Sequence, residues 1–197
     1  MLNERFEKQL HFLVEIDKMK TVMRQTMLID RSRQENDAEH SWHFAVMAMI
    51  LQEYAAPANI DIAHVIKLAL VHDLIEVYAG DTFAYDDASI ASKATRENEA
   101  ADKLFALLPS DQGDQIRALW TEFDEMKTPE AGYANAIDRL QPLINNHYTE
   151  GHTWRKGHVP VAKVYKRMEP IKTAAPALWP FVEFVIADAL EKGFIQK

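Results

Sequence analysis

The chain has 197 residues, of which 48% are hydrophobic, and it contains no cysteine. This composition argues against a disordered polypeptide and excludes disulfides, thiolate metal sites and a cysteine nucleophile. The formal charge of −8 is spread along the sequence, which disfavours non-specific binding to nucleic acid but leaves open a pocket for a small phosphorylated molecule.

The spacing of apolar residues is helical almost throughout the chain. It predicts helices over roughly residues 3–22, 36–54, 60–78, 89–108, 111–126, 130–148, 159–174 and 178–192. Residues 24–36 are polar and are predicted to be irregular. Four prolines lie at or near the predicted joints, as helix boundaries favour: Pro109, Pro129, Pro160 and Pro176. The sequence therefore predicts an all-α, compact helical bundle, organised as a single domain over residues 1–197.

The N-terminal sequence predicts neither a signal peptide nor a membrane anchor. The first ten residues, MLNERFEKQL, are charged and lack an apolar core, and no apolar run reaches membrane-spanning length. We therefore expect a cytoplasmic protein without membrane partners, in agreement with the absence of cysteine.

The third predicted helix carries polar residues where a buried helix should have none. Apolar side chains surround its axis almost completely, which is typical of a buried helix. Its last turns nevertheless contain His72, Asp73 and Glu76. A buried carboxylate without a partner is costly, so these groups need partners, and a metal ion is a suitable one. Their spacing of three and four residues allows all three to address one site.

Two other apolar helices are interrupted in the same way. His40 lies at the start of the second helix, and Asp138 lies in the helix from residue 130, four residues before Pro142. Each case alone has a plainer interpretation. His40 could be a satisfied core histidine, the His72–Asp73 pair could be hydrogen-bonded near a helix end, and Asp138 could form an ion pair. Because three apolar helices are each interrupted at one place, a shared metal site is the favoured interpretation.

The ordered set of His40, the His72–Asp73 doublet and Asp138 resembles the HD-domain metal phosphohydrolases, which are named for that doublet. The stretches RQENDAEHSWHFAVMA, LALVHDLIEVYAGD and EFDEMKTPEA are similar to the branch that contains the 5′-deoxynucleotidases. The resemblance covers about residues 24–146. It implies an HD-domain helical bundle with one divalent ion bound by His40, His72, Asp73 and Asp138.

Imidazole and carboxylate ligands suit Mn, Co, Fe, Ni or Zn, with Mg as a further candidate. Such an ion activates water and polarises a phosphoryl oxygen. Glu76 is placed to orient or deprotonate that water. Asp81 could assist proton transfer or hold a sugar hydroxyl. The alternative is that Glu76 and Asp81 are simply solvated, one at a helix end and the other in a loop. Dinuclear HD enzymes draw further histidines from the helices between the doublet and the final aspartate. This chain has no histidine between Asp73 and His147, so the resemblance implies a single ion.

A phosphate group needs cationic partners. The resemblance places an arginine ahead of the first histidine, for which Arg24 is the closest counterpart and Arg33 a second candidate. Lys93 and Arg96 follow the doublet loop and could also face the pocket, although most arginines on a soluble domain are solvated. The related 5′-nucleotidases carry a tryptophan beside that arginine, and Gln25 stands there in this chain, which leaves the selectivity for the sugar open.

The leading hypothesis is a phosphomonoesterase that acts on nucleoside 5′-monophosphates, with deoxynucleotides included. The alternatives are hydrolysis of another phosphorylated metabolite, such as a nucleoside triphosphate or an alarmone, and a non-catalytic module that binds metal or nucleotide. The resemblance and the apolar C-terminal segment ALWPFVEFVIADAL also predict a homodimer, although that segment could instead pack onto its own chain.

Overall fold

The structure is a computed structural model that describes residues 3–197, apart from the side chains of residues 87–90. Within that range it contains ten α-helices and one antiparallel hairpin. The helices are α1 (Glu4–Ile16), α2 (Asp37–Ile50), α3 (Ile62–Val71), α4 (Glu76–Ala79), α5 (Asp87–Phe105), α6 (Ser110–Glu125), α7 (Pro129–Tyr148), α8 (His152–Lys156), α9 (Val161–Ala174) and α10 (Trp179–Glu191). The prediction of an all-α fold is confirmed.

The prediction of an irregular segment over residues 24–36 is wrong, because this segment forms the hairpin. Strand β1 (Met23–Met27) pairs with β2 (Gln34–Asn36), and Arg31 turns the chain between them with a positive φ of 63°. Side chains alternate between the two faces of a strand, and here the inward face carries the buried Arg24 and Glu35. The hairpin thus delivers two charged groups to the interior of a helical protein.

Helix α2 begins where the sequence predicts, and Asn36 is its N-cap. The Asn36 side chain accepts a hydrogen bond from the Glu39 backbone at 3.0 Å, and the Glu39 carboxylate accepts one from the Asn36 backbone at 3.1 Å. These two bonds form a capping box, which satisfies two backbone donors that a helix start would otherwise leave free. The cap fixes the first turn of α2, and that turn presents His40 to the core.

The third predicted helix is not continuous. Helix α3 ends at Val71, residues 72–75 form a tight turn, and α4 begins at Glu76. Within the turn the backbone bonds span three residues rather than four, such as Leu74 N to Val71 O at 3.1 Å. The His72–Asp73 doublet therefore lies on a tightened turn. Gly80, with φ of 73°, ends α4 in a conformation that favours glycine.

Helix α7 runs through the centre of the protein and packs against α2, α3, α6, α9 and α10. Its buried residues lie on all sides of its axis, from Ala131 to Asn146. A second, smaller core joins α1, α3, α5 and α6 around Phe12, Leu104 and Trp120. Asp138 is placed near the middle of α7 and therefore in the interior.

The C-terminal helix α10 packs mainly onto its own chain, because Val182, Val185, Ile186 and Ala189 are all buried in the main core. None of the helices described here combines the length and the apolar character that a transmembrane segment needs.

Candidate metal and phosphate site

The structure brings the four predicted ligands together from α2, the turn after α3, and α7. His40 Nε2 lies 3.0 Å from Asp138 Oδ1, and His72 Nε2 lies 2.9 Å from Asp73 Oδ2. The two pairs are in contact, since His72 Nε2 is 3.7 Å from Asp138 Oδ1 and His40 Nε2 is 3.9 Å from Asp73 Oδ2. Ligand atoms of His40, His72 and Asp73 lie within 4.8 Å of one another, and Asp138 Oδ1 adjoins both imidazoles, so Asp138 is placed to complete a site built on the other three.

The opposite ring nitrogens show how the two imidazoles are oriented. His72 Nδ1 lies 2.8 Å from the Ala69 carbonyl oxygen, and His40 Nδ1 lies 3.2 Å from Gln141 Oε1. Both partners are acceptors, so each Nδ1 carries a proton and each Nε2 directs its lone pair towards the carboxylates. Among the described residues, the buried His72 Nε2 has no hydrogen-bond partner. Lone pairs and carboxylate oxygens that converge in this way repel one another unless a cation lies between them, so the residues fit a divalent ion.

The ionisation of the cluster also suits a metal ion. Burial opposes the ionised form of Asp138, but His40 and His72 hold the pKa of this carboxyl well below its usual range. Burial likewise opposes the ionised form of Asp73, and His72 and Arg24 lower the pKa of that group. The pKa of His40 is lowered by burial and by Arg24, which favours the neutral imidazole that binds metals. Burial opposes the charged form of His72, but Asp73 and Asp138 outweigh it and raise the pKa of His72, so an ion at this site would have to displace a proton from His72.

Behind His40 lies a buried pair that was not predicted from the sequence. Gln141 Nε2 donates to Glu35 Oε1 at 2.6 Å, while Gln141 Oε1 accepts from His40 Nδ1. Burial raises the pKa of Glu35 to about 7. Gln141 could have been found from the sequence, because it is a polar residue three positions after Asp138 in an otherwise apolar helix. The Glu35–Gln141–His40 chain fixes the orientation of the His40 ring.

Arg24 lies among a group of acidic residues that adjoins the His–Asp cluster. Asp37, Asp73 and Glu76 form a group whose oxygens lie within 4.8 Å of one another. Arg24 Nη1 is 2.7 Å from Asp73 Oδ2, 3.1 Å from Asp37 Oδ1 and 3.8 Å from Asp81 Oδ1. The Arg24 side chain is therefore committed to carboxylates, and its charge offsets their mutual repulsion.

Glu76 and Asp81, the two predicted catalytic carboxyls, both line the cavity beside the cluster. Burial and the charge of Asp73 raise the pKa of Glu76 well above its usual range. Burial also raises the pKa of Asp81, against the opposing effect of Arg24. Within the described part of the chain, the buried Glu76 Oε2 atom has no hydrogen-bond partner. A carboxyl group with a raised pKa and an oxygen without a partner is a better proton acceptor than an ordinary carboxylate.

The cavity has a volume of about 300 Å³ and opens beside the ion cluster. Aromatic side chains form part of its wall: Phe83, Tyr85, Phe123 and Trp154. Trp154 comes from α8 and lines the same cavity as Gln25, the residue after Arg24.

Of the four predicted substrate-binding residues, Arg24 and Lys93 line this cavity, and Arg33 and Arg96 are not among its lining residues. The exposed Arg33 pairs with Glu39 at the protein surface. Arg96 donates to the Ala79 carbonyl at 2.9 Å and to Thr82 Oγ1 at 3.0 Å, so it braces the loop after α4. Both guanidinium groups have partners outside the cavity lining, and substrate contact by Arg33 and Arg96 stays a prediction.

Two cavity-lining arginines were not predicted as substrate-binding residues, Arg139 of α7 and Arg167 of α9. Arg167 Nη2 lies 3.6 Å from Asp138 Oδ2. Burial and the nearby Arg167 lower the pKa of Arg139 to about 10. Arg139 had a sequence signal, because it follows Asp138 in an apolar helix, whereas Arg167 lies in an amphipathic helix with several other cations.

A buried His–Asp cluster at the centre of an all-α fold is the feature that defines HD-domain metal-dependent phosphohydrolases. The model of the HD-domain family matches residues 16–179, and the chain belongs to this family. The resemblance inferred from the sequence is thereby confirmed.

Relatives and solved structures agree with this assignment. The 5′-deoxynucleotidase HDDC2 of Danio rerio is 30% identical over 145 residues, which cover 73% of this chain and 70% of that protein. The protein of the same name from Homo sapiens is 30% identical over 112 residues, covering 57% of this chain and 53% of its own. The crystal structure of a predicted metal-dependent phosphohydrolase from Magnetospirillum magnetotacticum MS-1 superposes with a TM-score of 0.93 at 44% identity and covers 100% of both chains.

Proposed function

We propose that this protein is a phosphomonoesterase that hydrolyses nucleoside 5′-monophosphates, deoxynucleotides included, with a divalent ion held by His40, His72, Asp73 and Asp138. The observation that carries the proposal is the convergence of two imidazole Nε2 atoms and two ionised, buried carboxylates beside a cavity. The relatives named 5′-deoxynucleotidase support the substrate class.

When bound, the ion supplies Lewis-acid polarisation of a phosphoryl oxygen and lowers the pKa of water. The residues of the chain supply the remaining chemistry. Glu76, whose pKa is raised by burial and by Asp73, accepts the proton of the attacking water at its unpartnered Oε2. For Asp81, which lines the cavity on the loop that follows Gly80, the proposed role is to assist proton transfer or to hold a sugar hydroxyl.

The cavity supports a monophosphate in preference to a larger substrate. Its volume of about 300 Å³ lies at the lower end of the range of small-molecule pockets. Phe83 and Tyr85, at 5.4 Å between ring centroids, offer aromatic faces for a base. A triphosphate or an alarmone would need more space than this cavity presents.

The test is an assay of released orthophosphate from a panel of ribonucleoside and deoxyribonucleoside monophosphates, with each candidate metal reconstituted in turn. Asp73→Asn should abolish release, and Asp17→Asn, a matched change at an exposed position, should leave it unchanged. Release of pyrophosphate or tripolyphosphate from other substrates would favour the second enzymatic hypothesis. Tight nucleotide binding with no turnover under any metal would favour the non-catalytic one.

We further propose that a single ion is bound, one of Mn, Co, Fe, Ni, Zn or Mg. The second acidic group, which comprises Asp37, Asp73 and Glu76, already contains the Arg24 guanidinium. A resident positive charge there disfavours a second cation by like-charge repulsion. Elemental analysis of the purified protein measures the number and the identity of the ions.

We also propose that the chain is a single domain, that it forms a homodimer and that it resides in the cytoplasm.

For the interface of the proposed dimer, the exposed apolar stripe of α2 is a better candidate than α10, because the apolar face of α10 is largely buried in its own chain. The stripe has helical spacing and consists of Trp42, Val46, Met49 and Ile50. Light scattering of the wild type and of Ile50→Glu tests this assignment.

A further inference from the structure

Two arginines form a cationic wall on the side of the cavity that carries Asp138. Arg139 follows Asp138 directly on α7, and Arg167 reaches the same place from α9. Arg167 Nη2 is 3.6 Å from Asp138 Oδ2, so the wall adjoins the ion cluster. Two guanidinium groups therefore line the cavity next to the Asp138 carboxylate.

The hydrogen bonds of the half-buried Arg139 side chain are few. Among the described residues, its Nη2 contacts Asn135 Oδ1 at 3.4 Å and Met126 Sδ at 3.7 Å, which are long and weak contacts. Its Nε atom is buried and has no partner in the same set of residues. An unpaired buried donor is costly, so the Arg139 guanidinium has donor capacity left for an acceptor from outside the chain.

Arg24 provides the contrast on the opposite side of the cluster. Its side chain has carboxylate oxygens within 4.0 Å from Asp37, Asp73 and Asp81. The Nε atom of Arg24 is buried without a hydrogen-bond partner in the same set of residues, as that of Arg139 is, so the contrast lies in the charge. These carboxylates already offset the charge of Arg24, so an added anion would gain less there than at the wall formed by Arg139 and Arg167.

We propose that Arg139 and Arg167 bind the terminal phosphoryl oxygens of the substrate, whereas Arg24 serves the carboxylates of the ion site. A phosphoryl group offers several oxygens, and arginine donates to such oxygens in a planar, bidentate manner. The position next to Asp138 places the bound anion beside the ion cluster, where the two charges also offset negative charge that develops during hydrolysis. This inference rests on the proposed phosphomonoesterase function.

The test measures the affinity of the metal-loaded protein for inorganic phosphate by calorimetry. Arg139→Gln and Arg167→Gln should each weaken phosphate binding about tenfold or more, because each removes charge-assisted hydrogen bonds. Arg139→Lys and Arg167→Lys should lose less phosphate affinity than the glutamine variants, because lysine keeps the charge although it lacks the bidentate geometry of a guanidinium group. Arg33→Gln is the matched control, since it removes one arginine charge at a surface position with 49% side-chain exposure. Its affinity for inorganic phosphate should stay within about twofold of wild type.

Metal content and melting temperature are measured for every variant. If Arg139→Gln does not fold, Arg167→Gln decides the test, because its side chain is 31% exposed and tolerates change better. Phosphate affinity equal to that of the control, or a loss of phosphate binding that accompanies loss of the ion, would overturn the proposal.

The outcome also separates this inference from the proposed function. Phosphate binding that depends on the two arginines in a protein that hydrolyses no nucleotide would support the anion site and reject the phosphomonoesterase. Hydrolysis with an unchanged KM in both glutamine variants would support the phosphomonoesterase and reject the anion site.

Discussion

Replacement of Gln141 by methionine should weaken ion binding without altering any of the four proposed ligands. Gln141 is fully buried, donates to Glu35 Oε1 at 2.6 Å and accepts from His40 Nδ1 at 3.2 Å. Methionine has a similar volume, so the packing is largely preserved, but it cannot form this pair of hydrogen bonds. The substitution therefore tests the support of His40 rather than the ligand itself.

The expected magnitude follows from the groups that lose their partners. The His40 Nδ1–H donor and the Glu35 Oε1 acceptor would both remain in the interior, each at a cost of about 1–3 kcal/mol. The ion-free protein should thus lose about 2–6 kcal/mol of its free energy of unfolding. Loss of the hydrogen bond that orients a metal-binding imidazole lowers metal affinity by about 10–100-fold.

Urea denaturation of the ion-free protein measures the first quantity, and competition with a chelator for Mn²⁺ measures the second. Gln112→Met is the matched control, because Gln112 pairs with Gln9 far from the cluster. If Gln141→Met bound Mn²⁺ as tightly as this control, the Glu35–Gln141–His40 chain would have no role in orienting the ligand.

Three further predictions concern the cluster and its surroundings. The pKa of Glu35 rises from 4.5 to about 7 on folding, so the contribution of Glu35 to wild-type stability should fall by up to about 3 kcal/mol as pH rises through this window. Asp37, whose pKa is raised to about 6, adds to the same slope, and Glu35→Gln should remove the Glu35 share of it in melting curves recorded between pH 4 and 8. Asp138→Asn removes the charge of a proposed ligand at nearly constant shape. It should lower the metal content that remains after dialysis, and it should lower the rate of phosphate release by about 100-fold or more. Wild-type metal content together with a wild-type rate would contradict a ligand role for Asp138. Phe44→Ala opens a cavity beside the His72 ring, 5.3 Å away between centroids, and should cost about 3–5 kcal/mol in urea denaturation, whereas Phe184→Ala, at 58% exposure, should cost less than about 1 kcal/mol.

The sequence alone determined the helical architecture and the central part of the candidate site. Apolar periodicity is a local property, and it placed most helices close to their observed positions. His40, the His72–Asp73 doublet and Asp138 were found because each is polar within an apolar helix, where it needs a partner. The start of α2 lies close to its predicted position, and the capping box that fixes it is itself local, since it involves residues only three positions apart.

The wall of the cavity and the supports of the ligands were decided by tertiary structure. Arg24 and Asp73 are 49 residues apart, and Gln141 and Glu35 are 106 residues apart, yet both pairs are hydrogen-bonded in the interior. Arg33 and Arg167 are the same residue type on polar segments, and only the packing of other elements places one beside Glu39 and the other beside Asp138. Local periodicity reports which face of a helix is buried, but the partner of a charged side chain depends on which distant elements meet there.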